Sequence, residues 1–97
     1  MMDYEIDLIS TTYSDDAYQT PKETVRSVYA EKLPNNASEF HAALASGFEL
    51  QFVFRIHEYE YNGEMTVRYG GQVYDVYRTY QINGDWRELY LTTKKRA

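Results

Sequence analysis

Met65-Thr66-Val67-Arg68-Tyr69-Gly70-Gly71-Gln72-Val73-Tyr74-Asp75-Val76-Tyr77-Arg78-Thr79-Tyr80-Gln81-Ile82-Asn83-Gly84-Asp85-Trp86-Arg87-Glu88-Leu89-Tyr90-Leu91 reads as three strands joined by two tight turns. Gly70-Gly71 and Asn83-Gly84 are dipeptides that accept the positive φ required at the centre of a two-residue hairpin turn. A turn at Gly70-Gly71 sets Val67 opposite Tyr74 and Met65 opposite Val76. A two-residue turn at Asn83-Gly84 sets Val76 opposite Leu91 and Arg78 opposite Leu89. The two turns are independent, yet both place Met65, Val67, Tyr74, Val76, Leu89 and Leu91 on one face. Side chains alternate along a strand, so a slip of one residue at either turn would scatter that set.

Working upstream, Phe48, Leu50, Phe52, Phe54 and Ile56 alternate with Glu49, Gln51, Val53, Arg55 and His57, the pattern of a strand with one buried face. The alternation slips at His57-Glu58, where the strand either bulges, the preferred reading, or leaves the core, and Asn62-Gly63 reads as a further hairpin turn. Residues from Phe48 onward are thus expected to form a four-strand meander. Tyr4, Ile6 and Leu8 alternate with Glu5, Asp7 and Ile9 in a first strand over Tyr4–Ser10, and Thr24–Leu33 forms a second that ends before Pro34. Thr11–Lys22 lacks apolar periodicity and reads as a long loop. A short helix is predicted over about residues 37–46, with Asn36 as its cap, Glu39 three residues on, Phe40 and Leu44 on one face, and Gly47 as its left-handed stop. The expected fold is all-β and mainly antiparallel: a small six-stranded barrel or tight sandwich with one inserted helix, in a single domain over residues 1–97.

Size and charge narrow the function. Ninety-seven residues without a cysteine suit a reducing cytoplasm, or a chain stabilised by assembly. The start of the chain does not resemble a signal peptide, no run approaches the length of a bilayer span, and the chain is expected to be soluble with no membrane partner. The net charge is −5, with three basic and nine acidic residues in the first fifty positions and seven against six in the rest. Binding to nucleic acid rests on neutralising phosphates, so an acidic chain is a poor DNA clamp. Its only basic cluster, Lys94-Lys95-Arg96, reads as a solvated tail. Eleven tyrosines are unusual in so short a chain; they suit half-buried strands and also interfaces.

No constellation for catalysis emerges. The serines lie in no nucleophile elbow, and Cys is absent. His57-Glu58-Tyr59-Glu60-Tyr61 opens like a zinc helix motif but carries Tyr61 where the second His belongs, and it lies on a strand. His57 therefore reads as a solvent-face residue and His41 as an exposed helix residue. Glu58, Glu60 and Glu64 crowd one hairpin tip, where acidic residues serve solubility. Asn36-Ala37-Ser38 is a chance glycosylation sequon, and Gly70-Gly71 is a turn with no helix after it to cradle phosphate. No catalytic residue, metal site, cofactor or small-molecule substrate is assigned.

The segment from Met65 through Tyr80 resembles the signature region of phage head–tail connector (head-closure) proteins, in which a strand ending in an aromatic residue leads through a Gly turn into a Tyr-x-apolar strand. Met65, Val67, Tyr69, Gly71, Tyr74 and Val76 carry that match. Val28-Tyr29-Ala30-Glu31 followed by Ser38-Glu39-Phe40 is similar to the family's second strand and short helix. Glu88-Leu89-Tyr90-Leu91 is similar to its last strand, and Tyr4–Ser10 to its first, although Glu5 and Asp7 are acidic where many relatives are basic. The resemblance implies a non-enzymatic barrel, of free-phage or prophage origin, that assembles in the host cytoplasm and ends in the virion. There it would form a ring with copies of itself, below a portal or adaptor and above tail proteins, closing the DNA-filled head and docking the tail, with passive contact to packaged DNA. Tyr13, Tyr18, Tyr59, Tyr61, Tyr77 and Tyr90 are the interface candidates. Tyr13 and Tyr18 would anchor a loop that is mobile in the free protein. Other readings are a tail-completion subunit, an OB- or SH3-like binding module, and, least supported, a small hydrolase.

Overall fold

A computed structural model describes residues 2–13, 17–18, 20–35 and 37–94, the last without its side chain. Six strands and one helix follow in order: β1 (Tyr4–Tyr13), β2 (Pro21–Leu33), α1 (Ala37–Ala45), β3 (Phe48–His57), β4 (Thr66–Tyr69), β5 (Gln72–Ile82) and β6 (Trp86–Lys94). A single 3₁₀ turn, Glu58–Glu60, separates β3 from β4. All ladders are antiparallel, and the strands close in the order β1-β2-β3-β6-β5-β4, so the architecture is a barrel and not a sandwich. Closure depends on a short β1–β4 ladder from Asp7↔Arg68 to Ile9↔Thr66.

The lumen is filled by alternate residues of every strand. Ile6, Leu8, Val28, Ala30, Phe54, Ile56, Val67, Tyr74, Val76, Leu89 and Leu91 form one buried cluster, with Phe52, Tyr61 and Tyr69 packed against it. The predicted shared face holds except for Met65. Its carbonyl still accepts the Val76 N–H at 2.9 Å, but the chain has left β4 there and the side chain is 61% exposed.

Three local expectations are corrected. Asn62-Gly63 is not a β3–β4 hairpin: β3 pairs with β2 and β6, while β4 pairs with β1 and β5. The chain leaves its strand at His57 through the 3₁₀ turn, where the Tyr61 N–H reaches the Glu58 carbonyl at 3.1 Å, so the slip there is an exit and not a bulge. A bulge does occur in β3, between Leu50 and Phe52. It turns Leu50 outward with Val53 and leaves Phe52, Phe54 and Ile56 facing the lumen.

Arg78 does not face Leu89. The β5–β6 turn holds three residues, Asn83, Gly84 and Asp85, between Ile82 and its partner Trp86, and β5 bulges between Val76 and Arg78. The longer turn shifts the register by one residue and the bulge shifts it back. Val76↔Leu91 is therefore as predicted, while Arg78 faces Tyr90 and Thr79 faces Leu89.

Helix α1 forms a second layer on the outer face of β3 and β6. Its own Ala43 is buried against Leu50, Val53 and Tyr90 of the strands, with Leu33, Phe48, Tyr77 and the helix's Phe40 packed around them. Gly47, at φ +87°, ends the helix as expected, its N–H bonding the Leu44 carbonyl at 3.1 Å. The proposed cap Asn36 lies outside the described residues, as do Lys95 and Arg96 of the basic tail and the side chain of Lys94. Among the described residues no helix is long and apolar enough to cross a membrane.

Candidate functional site

The whole of Thr11–Lys22 was expected to be loop. Instead β1 runs to Tyr13 and β2 begins at Pro21, so that Thr11↔Glu23, Thr12↔Lys22 and Tyr13↔Pro21 continue the barrel's ladder. Thr11, Thr12 and Tyr13 are β-branched or aromatic and favour extended backbone without needing a buried face. Neither neighbouring strand follows them. β4 pairs with β1 only at Asp7–Ile9, and β3 pairs with β2 only at Glu31–Leu33. The upper parts of β1 and β2 therefore form a two-stranded arm, exposed on both faces, with an unpaired edge on each side. The arm lengthens the molecule to 46 × 36 × 25 Å, with a radius of gyration of 14.3 Å. A compact domain of this length would have about 12.5 Å.

Two ion pairs close the barrel where the arm departs. Arg26 lies on the lumen-facing parity of β2, with Val28 and Ala30, and cannot remain unpaired there. Its guanidinium donates to the Glu64 carboxylate, from Nη2 at 2.7 Å and Nε at 3.3 Å, and to the Glu60 carbonyl. Glu64 is only 5% exposed and also accepts the Asn62 N–H at 2.8 Å. Burial raises its pKa, but the Arg26 and backbone hydrogen bonds, with the Arg26 charge, outweigh that and hold the carboxyl below its ordinary value. Arg87 grips Glu58 through Nε and Nη2, both at 2.8 Å, and lies over the Tyr61 ring. Two of the three carboxylates read as a solvated hairpin tip are thus structural: Glu58 and Glu64 hold the connecting segment 58–64 against the barrel end. The opposite end is aromatic, with Tyr69 in contact with both Tyr4 and Phe52 and Lys32 4.8 Å from the Phe52 ring centre.

A cleft of about 330 Å³ opens at the foot of the arm, where β2 and β3 diverge, lined by Met2, Tyr29, His57, Tyr59 and Glu60. One wall is a continuous stack. His57 lies between Tyr59 at 5.3 Å and Trp86 at 4.6 Å, and the Arg55 guanidinium covers Trp86 at 5.0 Å while Glu31 holds it from behind. The hydrogen bond from Arg55, opposed by some desolvation, keeps Glu31 below the ordinary carboxylate range. His57, expected on a solvent face, is a half-buried part of this wall, and His41 is exposed on α1 as expected. A second recess of about 270 Å³ flanks the other side of the arm, between Ile9–Thr11 and Gly63–Thr66.

The six tyrosine candidates separate into two groups. Tyr13, Tyr18 and Tyr59 are 65%, 89% and 80% exposed. The other three are used within the subunit. Tyr61 packs on the lumen cluster and donates to the Glu64 carbonyl at 2.8 Å; burial and the neighbouring Glu64 charge raise its pKa. Tyr77 is the residue displaced by the β5 bulge and packs on Phe48, 5.2 Å between ring centres. Tyr90 is 8% exposed beneath α1, and burial together with Glu88 pushes its pKa up to about 12. Bulges redirected Tyr77 and placed Leu50 beside Tyr90, and simple alternation carries no sign of that. Tyr29 was overlooked although it sits on the outward parity of β2 and is 61% exposed.

Among the described residues no hydroxyl is paired with a histidine as a nucleophile with its base. The Ser27 hydroxyl donates to Asp7 at 2.6 Å and Arg68 to the second carboxylate oxygen at 3.0 Å, an outward-facing cross-strand network without a histidine. The Ser27 bond, with Arg68, lowers the Asp7 pKa against a desolvation that raises it. Among the described residues no group of three or more His, Asp or Glu could hold a metal ion. No curated protein matches the chain at a significant level. A sequence model of the phage head completion protein matches residues 1–96, and the chain belongs to this head-closure family of structural phage proteins.

Proposed function

We propose that the protein is one subunit of a ring at the head–tail junction, which closes the DNA-filled capsid and presents the docking surface for the tail. The arm carries this reading. It extends a closed barrel by a ribbon that adds no apolar core, leaves two strand edges unpaired and ends in exposed tyrosines. A free ribbon of this kind gains its packing from a neighbour. Portal or adaptor proteins would lie on one side of the ring and tail proteins on the other, and packaged DNA in the channel would be touched only passively.

The test is a complementation with DNA-filled heads made without this protein. Purified wild-type chain should convert them, with free tails, into infectious particles. A variant with residues 12–21 replaced by Asn-Gly should keep the melting temperature of the barrel within a few degrees and fail to close heads. Full activity of the armless variant would defeat the proposal. Restoration by binding to free tails before heads are added would instead identify a tail-completion subunit.

A further inference from the structure

We infer that Tyr13 on the arm of one subunit seats in the cleft between Tyr29 and Tyr59 of the next, so that subunits join head to tail. This rests on the ring reading and names the contact that builds the ring. The cleft is a concave, mostly aromatic site whose walls are fixed: Tyr59 is braced by the His57–Trp86–Arg55 stack, and Tyr29 stands on a strand paired with β1. A further aromatic ring suits such walls, because edge and face contacts between rings add to the area they bury. The arm supplies Tyr13, which is 65% exposed.

The cleft cannot be filled by its own arm. Tyr29 pairs with Glu5 and Pro21 with Tyr13, eight residues farther along the same ladder, which places the arm's end roughly 26 Å from the cleft in extended backbone. Charge points the same way. Glu60 in the cleft and Lys22 on the arm each lack an ion pair among the described residues, and across a subunit boundary they would form one. Donor and acceptor are different surfaces of one molecule. Their mating is therefore heterologous, which generates a closed ring or a filament and not a symmetric dimer. A single tyrosine anchor is weak, so the contact fills only where several subunits are held together on one particle.

The chain has no cysteine, which permits a direct test. T12C beside Tyr13, E5C opposite Tyr29, and the double variant keep the contact residues; they are produced in cells that assemble particles, and purified DNA-filled particles are treated with a short bis-maleimide. The double variant should give a ladder of linked subunits beyond the dimer. A mixture of the two single variants should stop at the dimer, and each single variant alone should remain unlinked. Dimers from T12C alone would show a symmetric arm-to-arm contact and overturn the inference, as would an unlinked double variant on particles that contain it. In that last case the ring reading survives, whereas absence of the wild-type chain from closed particles ends both. Charge reversal gives a second readout. K22E and E60K should each lower the yield of closed heads about tenfold, and the combined variant should recover it. Equal loss in the combined variant counts against the contact.

Discussion

The lower and upper halves of β1 and β2 belong to one continuous ladder but obey different rules. In the lower half Ile6, Leu8, Val28 and Ala30 are at most 4% exposed, because β3 and β4 complete a barrel around them. In the upper half the same strands carry Thr11, Thr12, Lys22, Glu23 and Thr24, all exposed. Closure removes strand edges, and a two-stranded ribbon retains both of its own. Hydrophobic faces would be a liability there, so the arm is polar except for isolated anchors. Pro21 and Lys22 further discourage indiscriminate pairing at its edge. Stability and contact are thus divided along a single pair of strands, and substitutions should separate them.

The largest effect is expected in the lumen. Val76 is 4% exposed opposite Leu91, and Val76→Asp would bury a carboxylate with no cation beside it. A loss of about 4 kcal/mol or more is expected, enough to unfold the chain at room temperature by circular dichroism. A folded V76D with a normal melting curve would mean that the lumen is not the source of stability.

Next comes the ionic closure below the arm. Removing the Glu64 side chain strands Arg26, but 36% of the Arg26 side chain is exposed and can rehydrate, so Glu64→Ala should cost only about 1–3 kcal/mol. The pH dependence has a definite sign. Glu64, Glu31 and Asp7 have folded pKa values below ordinary values of 4.5, 4.5 and 3.8, so their contribution is complete above that range. It is lost as pH falls through the depressed values. Urea midpoints measured from pH 7 downward should hold to about pH 5 and then decline, with a shallower decline for Glu64→Gln. An unchanged slope in that variant would remove Glu64 from the acid response.

A smaller effect of opposite sign is expected at Thr92. It is fully buried on β6, opposite Leu50, and its hydroxyl has no hydrogen-bond partner among the described residues. Val keeps the β-branched shape and removes the unsatisfied group, so T92V should stabilise by about 1 kcal/mol, or roughly 4–8 °C. Destabilisation would reveal a partner for the hydroxyl in solution.

These positions also mark what was legible in the sequence. The Gly70-Gly71 hairpin, the helix ended by Gly47 and most of the lumen face follow from local rules, turn chemistry and period two. The partner of β3 did not, because strand pairing is a long-range choice. Asn62-Gly63 was a plausible turn, yet its neighbours are committed to Arg26 and to the barrel end. Bulges were equally hidden: those at Leu50/Phe52 and Val76/Arg78 break alternation without a glycine to mark them. Val76↔Leu91 came out as expected only because a longer turn and a bulge cancel. Arg26 offered a missed clue, as a cation on a strand face otherwise shared with Val28 and Ala30 requires a buried acid. The arm was missed because periodicity detects strands that bury one face, and this ribbon buries neither.

The smallest effect on stability, and the sharpest contrast with the barrel, should be at Tyr13. It is 65% exposed and faces Pro21 at the last described pair of the ladder. Tyr13→Ser removes little buried area and should change stability by no more than about 0.5 kcal/mol, while reducing head closure. Order in the arm is a separate matter. An isolated two-stranded ribbon is marginal in water, since ordering each residue costs about 1–2 kcal/mol of backbone entropy and the polar arm buries almost nothing in return. In the free protein the amides of Thr11, Thr12 and Glu23 should therefore exchange rapidly while those of Leu8 and Val28 are protected near the global limit. After assembly on heads the arm should gain protection at wild-type Tyr13 and much less in the Ser variant. Strong protection of the arm before assembly would show that it is rigid without a neighbour. Equal gains in wild type and variant would show that Tyr13 is not the anchor.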